Sequence, residues 1–183
     1  MNICVYGGSS GSIDKAFLDA GEALGAAMAR RGHGLVFGGG TSGLMGAVAR
    51  GVTAGGGACV GIVPSFFNVD GVLYDGCTEL VYTDTMRQRK QLMEDRSDAF
   101  VMTPGGIGTF DEFFEILTLR HLGRHRKPIA VLNTAGYYDS LGALMDTVVR
   151  NRFMPRADLD LYRMFGGADA LLDYLEREAR RAP

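Results

Sequence analysis

The sequence lacks the features that mark several large classes of protein. No apolar run approaches the ~20 residues of a membrane-spanning helix, and a strand-like run begins at Asn2, which leaves no room for a signal peptide. The three cysteines are odd in number and show no C-x-x-C spacing, so neither a disulfide framework nor a zinc site is expected. Cys4 and Cys59 lie in apolar runs and are expected to be small core residues. A net charge of −2 gives no electrostatic reason to expect nucleic acid binding. We therefore expect a cytoplasmic protein with no membrane or nucleic acid partner.

Two familiar nucleotide fingerprints are also missing. A Walker A loop requires a Gly-Lys pair, and the chain contains none. The dinucleotide pattern G-x-G-x-x-G fails at "GIGTFD", where Asp111 occupies the last position. A kinase, an ATPase and a classical dehydrogenase are therefore disfavoured.

Glycine, in contrast, is abundant and clustered. The 27 glycines are roughly twice the usual share of ~7%. They concentrate at 7–11, 38–46, 55–57 and 105–108 instead of spreading as they would in a linker. Such clusters indicate special backbone geometry or the close approach of a ligand.

Strand-like and helix-like segments alternate along the 183 residues. The predicted strands are 2–6, 34–38, 59–64, 78–83, 98–103 and 128–133, the last of these being the final strand. The predicted helices are 14–31, 44–54, 84–96, 110–122, 139–151 and 168–180. Continuously apolar strands are typical of a parallel sheet that is covered on both faces. The chain is therefore expected to form a single doubly wound, Rossmann-like α/β domain over residues 1–183, with a mainly parallel sheet flanked by helices.

The glycine clusters follow the predicted strands in a way that suggests one ligand site. Ligands of doubly wound sheets bind beyond the carboxyl ends of the strands. Glycine-rich loops follow the strands 2–6, 34–38 and 98–103. One nucleotide-sized site could use all three loops.

The stretch "TPGGIGTFDE" (103–112) has two interpretations. Thr109 and Glu112 are spaced as a capping box at a helix start, where Asp111 also suits the helix dipole. Backbone amides at a helix start can also hold a monophosphate. A carboxylate fixed there is useful where positive charge develops on a sugar ring, which would make Glu112 catalytic. The spacing alone leaves both interpretations open.

The stretch "MRQRKQLME" (86–94) carries Arg87, Arg89 and Lys90. Such a run at helical spacing can be a solvated face. Arg89 and Lys90, however, open a helix directly after a strand, where a cation can meet a phosphate or fix a carboxylate in a bidentate pair.

His121 and His125 are four residues apart, but they are not expected to bind a metal. Gly123 lies between them, and no H-E-x-x-H pattern supplies a base. The basic patch "RHLGRHRK" (120–127) is expected to be a helix end or a subunit contact.

Together, "PGGIGTFDE" (104–112) and "MRQRK" (86–90) resemble the LONELY GUY (LOG) family of cytokinin riboside 5'-monophosphate phosphoribohydrolases, which are often misnamed lysine decarboxylases. The family pairs the pattern PGGxGTxxE with an upstream M-x-x-R-K. The resemblance extends over most of the chain through "FGGGTSGLMG" (37–46), "GIVP" (61–64), "TEL" (78–80), "SDAF" (97–100), "LGRHRKP" (122–128) and "LNTAGYYDSL" (132–141).

The resemblance implies a reaction and a set of site residues. The reaction is hydrolysis of the N-glycosidic bond of a nucleoside 5'-monophosphate, such as AMP or N6-prenyl-AMP, without a metal or an organic cofactor. Arg89 and Glu112 would be the catalytic pair, with Arg89 lowering the pKa of Glu112. The residues implied to bind the nucleotide are Ser9, Gly38, Gly39, Gly40, Met86, Lys90, Pro104, Gly105, Gly106, Gly108 and Thr109.

The chain departs from the family pattern at four positions. Family members usually carry Glu and His in the stretch where "NVDGVLYDGCTEL" (68–80) has Gly71 and Tyr74. Trp and Gln of a second stretch are replaced by Leu119 and His121. These positions bear on the base preference, N6-prenyl adenine or plain adenine, and leave the chemistry unchanged.

The resemblance also implies a homodimer. The apolar stripe of Phe113, Phe114 and Leu117 would suit a subunit contact, although packing on the sheet explains it equally well. The alternatives to the lead function are a non-catalytic carrier of a molybdopterin-type nucleotide cofactor and a purine nucleoside monophosphate hydrolase that acts mainly on AMP. Lysine decarboxylation is poorly supported, because no lysine lies in an evident Schiff-base setting.

Overall fold

Seven short strands form one parallel sheet in the computed structural model, which describes residues 1–67 and 71–181. The strands are β1 (Asn2–Tyr6), β2 (Gly34–Phe37), β3 (Cys59–Pro64), β4 (Glu79–Thr83), β5 (Ala99–Met102), β6 (Ile129–Leu132) and β7 (Arg163–Phe165). Their order in the sheet is β4-β3-β2-β1-β5-β6-β7, and every neighbouring pair is parallel. The predicted doubly wound, Rossmann-like α/β fold is confirmed.

Helices connect the strands and cover both faces of the sheet. They are α1 (Lys15–Arg30), α2 (Gly43–Ala54), α3 (Met86–Asp95), α4 (Ile107–His121), α5 (Asp139–Arg150) and α6 (Ala168–Ala179). Within the two described ranges, no helix is long and apolar enough to cross a membrane.

The apolar residues of each strand divide between two cores, because successive side chains point to opposite faces of the sheet. On one face, Val5 packs with Leu24 of α1, Val48 of α2 and residues of α6. On the other face, α3, α4 and α5 cover the sheet, and Phe113 belongs to that core. Cys4 and Cys59 are fully buried, one in each core, as predicted.

The predicted segments occur close to where the sequence indicated them, but α4 begins at Ile107 and not at 110, and one strand was omitted. The expectation that 128–133 is the final strand is wrong, because β7 (Arg163–Phe165) extends the sheet beyond β6. This strand is three residues long, and one of them is the exposed Arg163. So short a segment has no apolar run that would predict a strand.

The sheet reverses its direction of growth between β1 and β5. From β1 the chain adds β2, β3 and β4 on one side, and it then places β5 on the other side of β1. The loops that follow β1 and β5 meet at this point, where the amide of Gly8 donates to the carbonyl of Pro104 at 3.0 Å. Ligands of open α/β sheets bind at such switch points.

Candidate active site

Arg89 and Glu112 form a buried ion pair at the carboxyl edge of the sheet. Their side chains lie 2.9 Å apart, Nη1 to Oε1, and the two residues are 8% and 9% exposed. The Nε atom of Arg89 also donates to the carbonyl of Ile62, near the end of β3, at 3.1 Å. The guanidinium is therefore fixed by two acceptors, and the pair that the resemblance implied is brought together.

Arg89 reaches this position because α3 begins with a capping box. The Thr85 hydroxyl accepts from the amide of Gln88 at 3.2 Å, and the Gln88 side chain accepts from the amide of Thr85 at 3.1 Å. This arrangement satisfies two amides of the first turn and fixes the start of the helix. The pattern "TMRQ" signals the box in the sequence, although sequence reasoning placed a capping box on α4 instead.

The start of α4 differs from the predicted one. The helix begins at Ile107, and its N-cap is Gly106, which has no side chain to form a cap. The capping box of Thr109 and Glu112 is therefore wrong, since Glu112 lies in the second turn and faces Arg89. Asp111 pairs with Lys90 at 3.0 Å instead of serving mainly the helix dipole.

The pKa of Glu112 is raised above its ordinary value of 4.5, and burial is the main cause. The charge of Arg89 and its hydrogen bond act in the opposite direction. The expectation that Arg89 lowers the pKa is correct for that single interaction, but the net direction is wrong because desolvation of the carboxylate outweighs it. A raised pKa makes this carboxylate a stronger proton acceptor than an exposed one.

A cavity of about 360 Å³ opens beside Arg89. It is lined by Ser9, Gly38, Gly40, Ser42, Met45, Val63, Phe67, Gly71, Val72, Leu73 and Arg89. Gly38 is required here because a Cβ at this position would collide with Nη2 of Arg89. A larger cavity near Arg31 and His33 lies at the opposite edge of the sheet, where these two side chains are already paired with acidic residues of α6.

The loop between β5 and α4 lies against the loop that follows β1. A Cβ on Gly105 would collide with the Thr109 hydroxyl and lie 2.8 Å from the amide of Gly8. In contrast, a Cβ on Gly106 or Gly108 would meet nothing within 4 Å, so the space before α4 is open. Because Phe110 is the residue whose amide donates to Gly106, the amides of the three preceding helix residues have no partner inside the helix.

Two predicted nucleotide-binding residues lie on α3 and are not among the residues that line the cavity. Met86, the first residue of the helix, is 36% exposed. The Lys90 ammonium pairs with Asp111 and with Glu115, both on α4. Lys90 therefore joins α3 to α4 and does not line the cavity beside Arg89. Its role as a nucleotide contact stays a prediction.

One wall of the cavity involves Gly39 and two positions where the chain departs from the family pattern, Gly71 and Tyr74. The carbonyl of Gly39 accepts from the amide of Tyr74 at 2.9 Å. The Tyr74 hydroxyl lies 2.6 Å from that of Thr53 on α2, so this side chain faces the protein interior. Gly71 lines the cavity and has a φ of 76°. Of the departing stretch 68–80, residues 68–70 lie outside the described residues.

The remaining departures, Leu119 and His121, lie far along α4. Leu119 packs against the core of its face of the sheet. His121 is 2.8 Å from Asp158, while His125 is buried and lies 3.0 Å from the carbonyl of Ile116. In the ranges 1–67 and 71–181, no group of three or more His, Cys, Asp or Glu side chains is placed to hold a metal ion.

The apolar stripe on α4 divides between the interior and the surface. Phe113 and Leu117 are buried in the core, and Phe114 is 37% exposed. Packing on the sheet therefore explains two of the three side chains.

Sequence reasoning missed two tyrosines that contact the glycine loop. The Tyr137 hydroxyl donates to the carbonyl of Gly105 at 2.9 Å, and that of Tyr138 donates to the carbonyl of Thr103 at 2.8 Å. Their segment matched the family as part of "LNTAGYYDSL", but nothing in its spacing indicated contact with a loop about 30 residues earlier.

Comparison with known proteins places the chain in a family. A family model described as "Possible lysine decarboxylase" matches residues 45–175. A probable cytokinin riboside 5'-monophosphate phosphoribohydrolase of Oryza sativa subsp. japonica is 39% identical over 174 residues, which cover 95% of this chain and 77% of that protein. A cytokinin riboside 5'-monophosphate phosphoribohydrolase of Mycobacterium tuberculosis is 46% identical over 134 residues, which cover 71% of this chain and 72% of that protein.

Two solved structures share the fold. The molybdenum cofactor carrier protein of Chlamydomonas reinhardtii has a TM-score of 0.74 at 19% identity, with 98% of both chains covered. The molybdenum cofactor binding protein of Rippkaea orientalis has a TM-score of 0.71 at 19% identity, with 96% of this chain and 94% of that chain covered. At such low identity the likeness shows the fold alone. The sequence relatives confirm the resemblance to the LOG family. The chain belongs to this family, whose model is described as "Possible lysine decarboxylase" and whose members described above are named cytokinin riboside 5'-monophosphate phosphoribohydrolases.

Proposed function

We propose that this protein hydrolyses the N-glycosidic bond of a nucleoside 5'-monophosphate and releases the free base and ribose 5-phosphate. The observation that carries the proposal is the buried pair of Arg89 and Glu112, 2.9 Å apart, whose Arg89 lines a cavity bordered by glycine loops. The names of the relatives support an N6-modified adenosine monophosphate, a cytokinin riboside 5'-monophosphate, as the substrate. The protein is thus a hydrolase that acts on N-glycosyl compounds.

Glu112 supplies the chemistry of the proposed reaction. Cleavage of the bond between the base and C1' leaves positive charge on the ribose ring, which an ionised carboxylate stabilises. The same carboxylate accepts a proton from the attacking water, whose oxygen bonds to C1'. The departing base takes up a proton from solvent and Glu112 releases its own, so that one water is divided between ribose 5-phosphate and the base. Arg89 holds Glu112 in place and favours its ionised form. The reaction consumes one water and needs no redox partner.

The start of α4 supplies the phosphate site. The helix N-terminus presents the amides of Ile107, Gly108 and Thr109 to the open space before it, and such a terminus favours an anion. Glu112 lies one turn further along the helix. The phosphate and the reacting sugar would therefore be held by successive turns of one helix. Pro104, Gly105 and Gly106 form the loop that leads into it, and Ser9 and Gly38 to Gly40 border the base and sugar.

One assay tests the proposal directly. Purified protein is incubated with AMP and, separately, with N6-isopentenyl-AMP, and free base and ribose 5-phosphate are quantified by chromatography. Release of both products in equal amounts is the expected result. A higher kcat/KM for the prenylated nucleotide would support cytokinin nucleotides as the substrate class, and a higher value for AMP would favour the purine nucleotide alternative. Tight binding of either nucleotide without turnover would contradict the proposal.

The pH dependence of the reaction provides an independent prediction. Because Glu112 acts when ionised and its pKa is raised by burial, kcat/KM is expected to fall as the pH drops through that raised pKa. The acidic limb of the profile should lie above the ordinary carboxyl value of 4.5 and have a slope of about one, as for a single titrating group. Steady-state rates between about pH 4 and pH 9 measure it. Constant activity down to about pH 4 would contradict the assigned role of Glu112.

Broader expectations belong to the same proposal. A homodimer is supported by apolar side chains that α4 exposes, because Ile107 is 89% and Phe114 is 37% exposed. Light scattering coupled to gel filtration tests it. Three further expectations stay predictions: a single domain over residues 1–183, a cytoplasmic location, and activity without a metal or organic cofactor.

A further inference from the structure

The loop between β5 and α4 has three successive carbonyl groups that each accept a hydrogen bond. The carbonyl of Thr103 accepts from the Tyr138 hydroxyl at 2.8 Å. The carbonyl of Pro104 accepts from the amide of Gly8 at 3.0 Å, and that of Gly105 accepts from the Tyr137 hydroxyl at 2.9 Å. A loop of proline and glycine is thus held by donors from two other loops.

Holding a carbonyl also orients the amide of the next residue. In a trans peptide the C=O and N–H bonds share one plane and point in opposite directions. Because Tyr137 holds the carbonyl of Gly105, the amide of Gly106 is directed away from Tyr137. Gly106 is the N-cap of α4, so its amide is next to the amides of Ile107 and Gly108 in the chain.

Without this bond the peptide between Gly105 and Gly106 has freedom to rotate, since glycine is accessible to many backbone conformations. A rotated peptide would exchange the places of its amide and its carbonyl. The carbonyl oxygen carries partial negative charge and would repel a phosphate before the helix. The bond from Tyr137 therefore favours the one orientation that suits an anion.

The placement of Tyr137 is not explained by burial. Its neighbour Tyr138 is 1% exposed and belongs to the core, whereas Tyr137 is 46% exposed. The ring of Tyr137 meets Phe17 of α1 edge-on at 5.7 Å and Tyr138 at 4.9 Å. These contacts hold a half-exposed ring so that its hydroxyl reaches the loop.

We propose that Tyr137 is a positioning residue that holds the Gly105 carbonyl away from the phosphate site and so adds the amide of Gly106 to the helix amides that bind the substrate phosphate. The inference rests on the proposed function for the identity of the anion. Tyr137 itself takes no part in bond cleavage. Its loss weakens binding of every phosphate-bearing ligand and leaves the chemistry of Arg89 and Glu112 intact.

The test is Tyr137→Phe, which removes the hydroxyl and retains the ring contacts. Binding of inorganic phosphate, measured by calorimetry, is expected to weaken about threefold to tenfold, as for one lost hydrogen bond. For AMP, KM should rise by the same factor while kcat changes less than about twofold, because the lost interaction is equal in ground state and transition state. Binding of adenosine, which lacks the phosphate, should not change.

Tyr82→Phe is the matched control, because Tyr82 is 47% exposed and lies on β4. This variant should bind phosphate as the wild type does. Unchanged phosphate binding by Tyr137→Phe, or an equal loss for adenosine, would overturn the inference, and so would a wild type that binds no phosphate. The proposed function is tested separately by turnover: a wild type that binds phosphate but releases no base from AMP refutes the hydrolase and still allows Tyr137 to be judged.

Discussion

Replacing Glu112 by glutamine is expected to lower kcat for base release from AMP about 10³-fold, within the range for loss of a positioned acid–base group. Glutamine retains the shape of the side chain and an oxygen for Arg89. It carries no negative charge to stabilise the sugar cation, and it cannot accept a proton from water. Single-turnover release of free base measures the effect without interference from product release. A variant that releases base at the wild-type rate would contradict the assignment of Glu112.

The stability of Glu112→Gln separates a catalytic role from a structural one. Because the pKa of Glu112 is raised in the folded protein, its contribution to stability is present below the ordinary carboxyl pKa and is lost as the pH rises through the raised value. A neutral glutamine removes that loss but leaves the buried Arg89 guanidinium without its charge partner, which lowers stability. The two effects oppose each other, so the variant should still be folded at the assay temperature, which a melting curve at pH 7 measures. Asp111→Asn is the matched control, since Asp111 precedes Glu112 on the same helix but is more exposed. This control should retain kcat within about twofold, because its carboxylate faces Lys90 and not the reacting sugar.

Replacing Arg89 by alanine is expected to lower both activity and stability. Glu112 would remain buried without its charge partner, and breaking such a pair costs about 3 kcal/mol of the free energy of unfolding. The same loss raises the pKa of Glu112 further, so that the carboxyl is protonated over more of the neutral range. We expect kcat/KM to fall about 10³-fold, from the combined loss of ionised Glu112 and of its fixed orientation. Urea unfolding and steady-state kinetics measure the two effects.

Further variants show whether Arg89 acts through Glu112. Arg89→Ala combined with Glu112→Gln should recover most of the lost stability and none of the activity, because no uncompensated charge remains buried. Arg89→Lys should rescue little, since a single ammonium cannot reproduce the fork that reaches both Ile62 and Glu112. Arg87→Ala is the control on the same helix, where Arg87 is exposed. A stable, fully active Arg89→Ala variant would contradict the role given to the ion pair.

The fold could be predicted from the sequence because its signals are local. Buried parallel strands such as β1 (Asn2–Tyr6) and β5 (Ala99–Met102) are mostly apolar runs that are followed within two residues by glycine or proline. β7 could not be predicted, because its position at the sheet edge requires little apolar surface. The start of α4 was placed too late because glycine at the N-cap leaves no side-chain signal, while Thr109 and Glu112 imitate one.

The pairing of Arg89 with Glu112 could be predicted from the sequence, whereas the electrostatics of this pair could not. The approach of Arg89 to Glu112 followed from a motif pair of the family, and the structure brings the two side chains together. The raised pKa of Glu112 depends on how completely the fold removes water from it, which no spacing of charges reveals. The contacts of Lys90 with α4 and of Tyr137 with Gly105 join segments distant in the chain. Such contacts follow from the packing of the sheet and helices and have no local pattern.

The switch of strand order at β1 has a consequence for how the chain folds while it is being synthesised. β1 gains its second neighbour only with β5, and the amide of Asn2 bonds to Asp98 across 96 residues. During synthesis the segment that carries Arg89 leaves the ribosome before β5 does. At that stage one edge of β1 is still unpaired, and an unpaired strand edge is prone to aggregation. Docking of β5 covers that edge, and α4 follows it directly with Glu112. Pairing of β5 with β1 therefore protects the exposed strand edge and directly precedes the arrival of Glu112 beside Arg89.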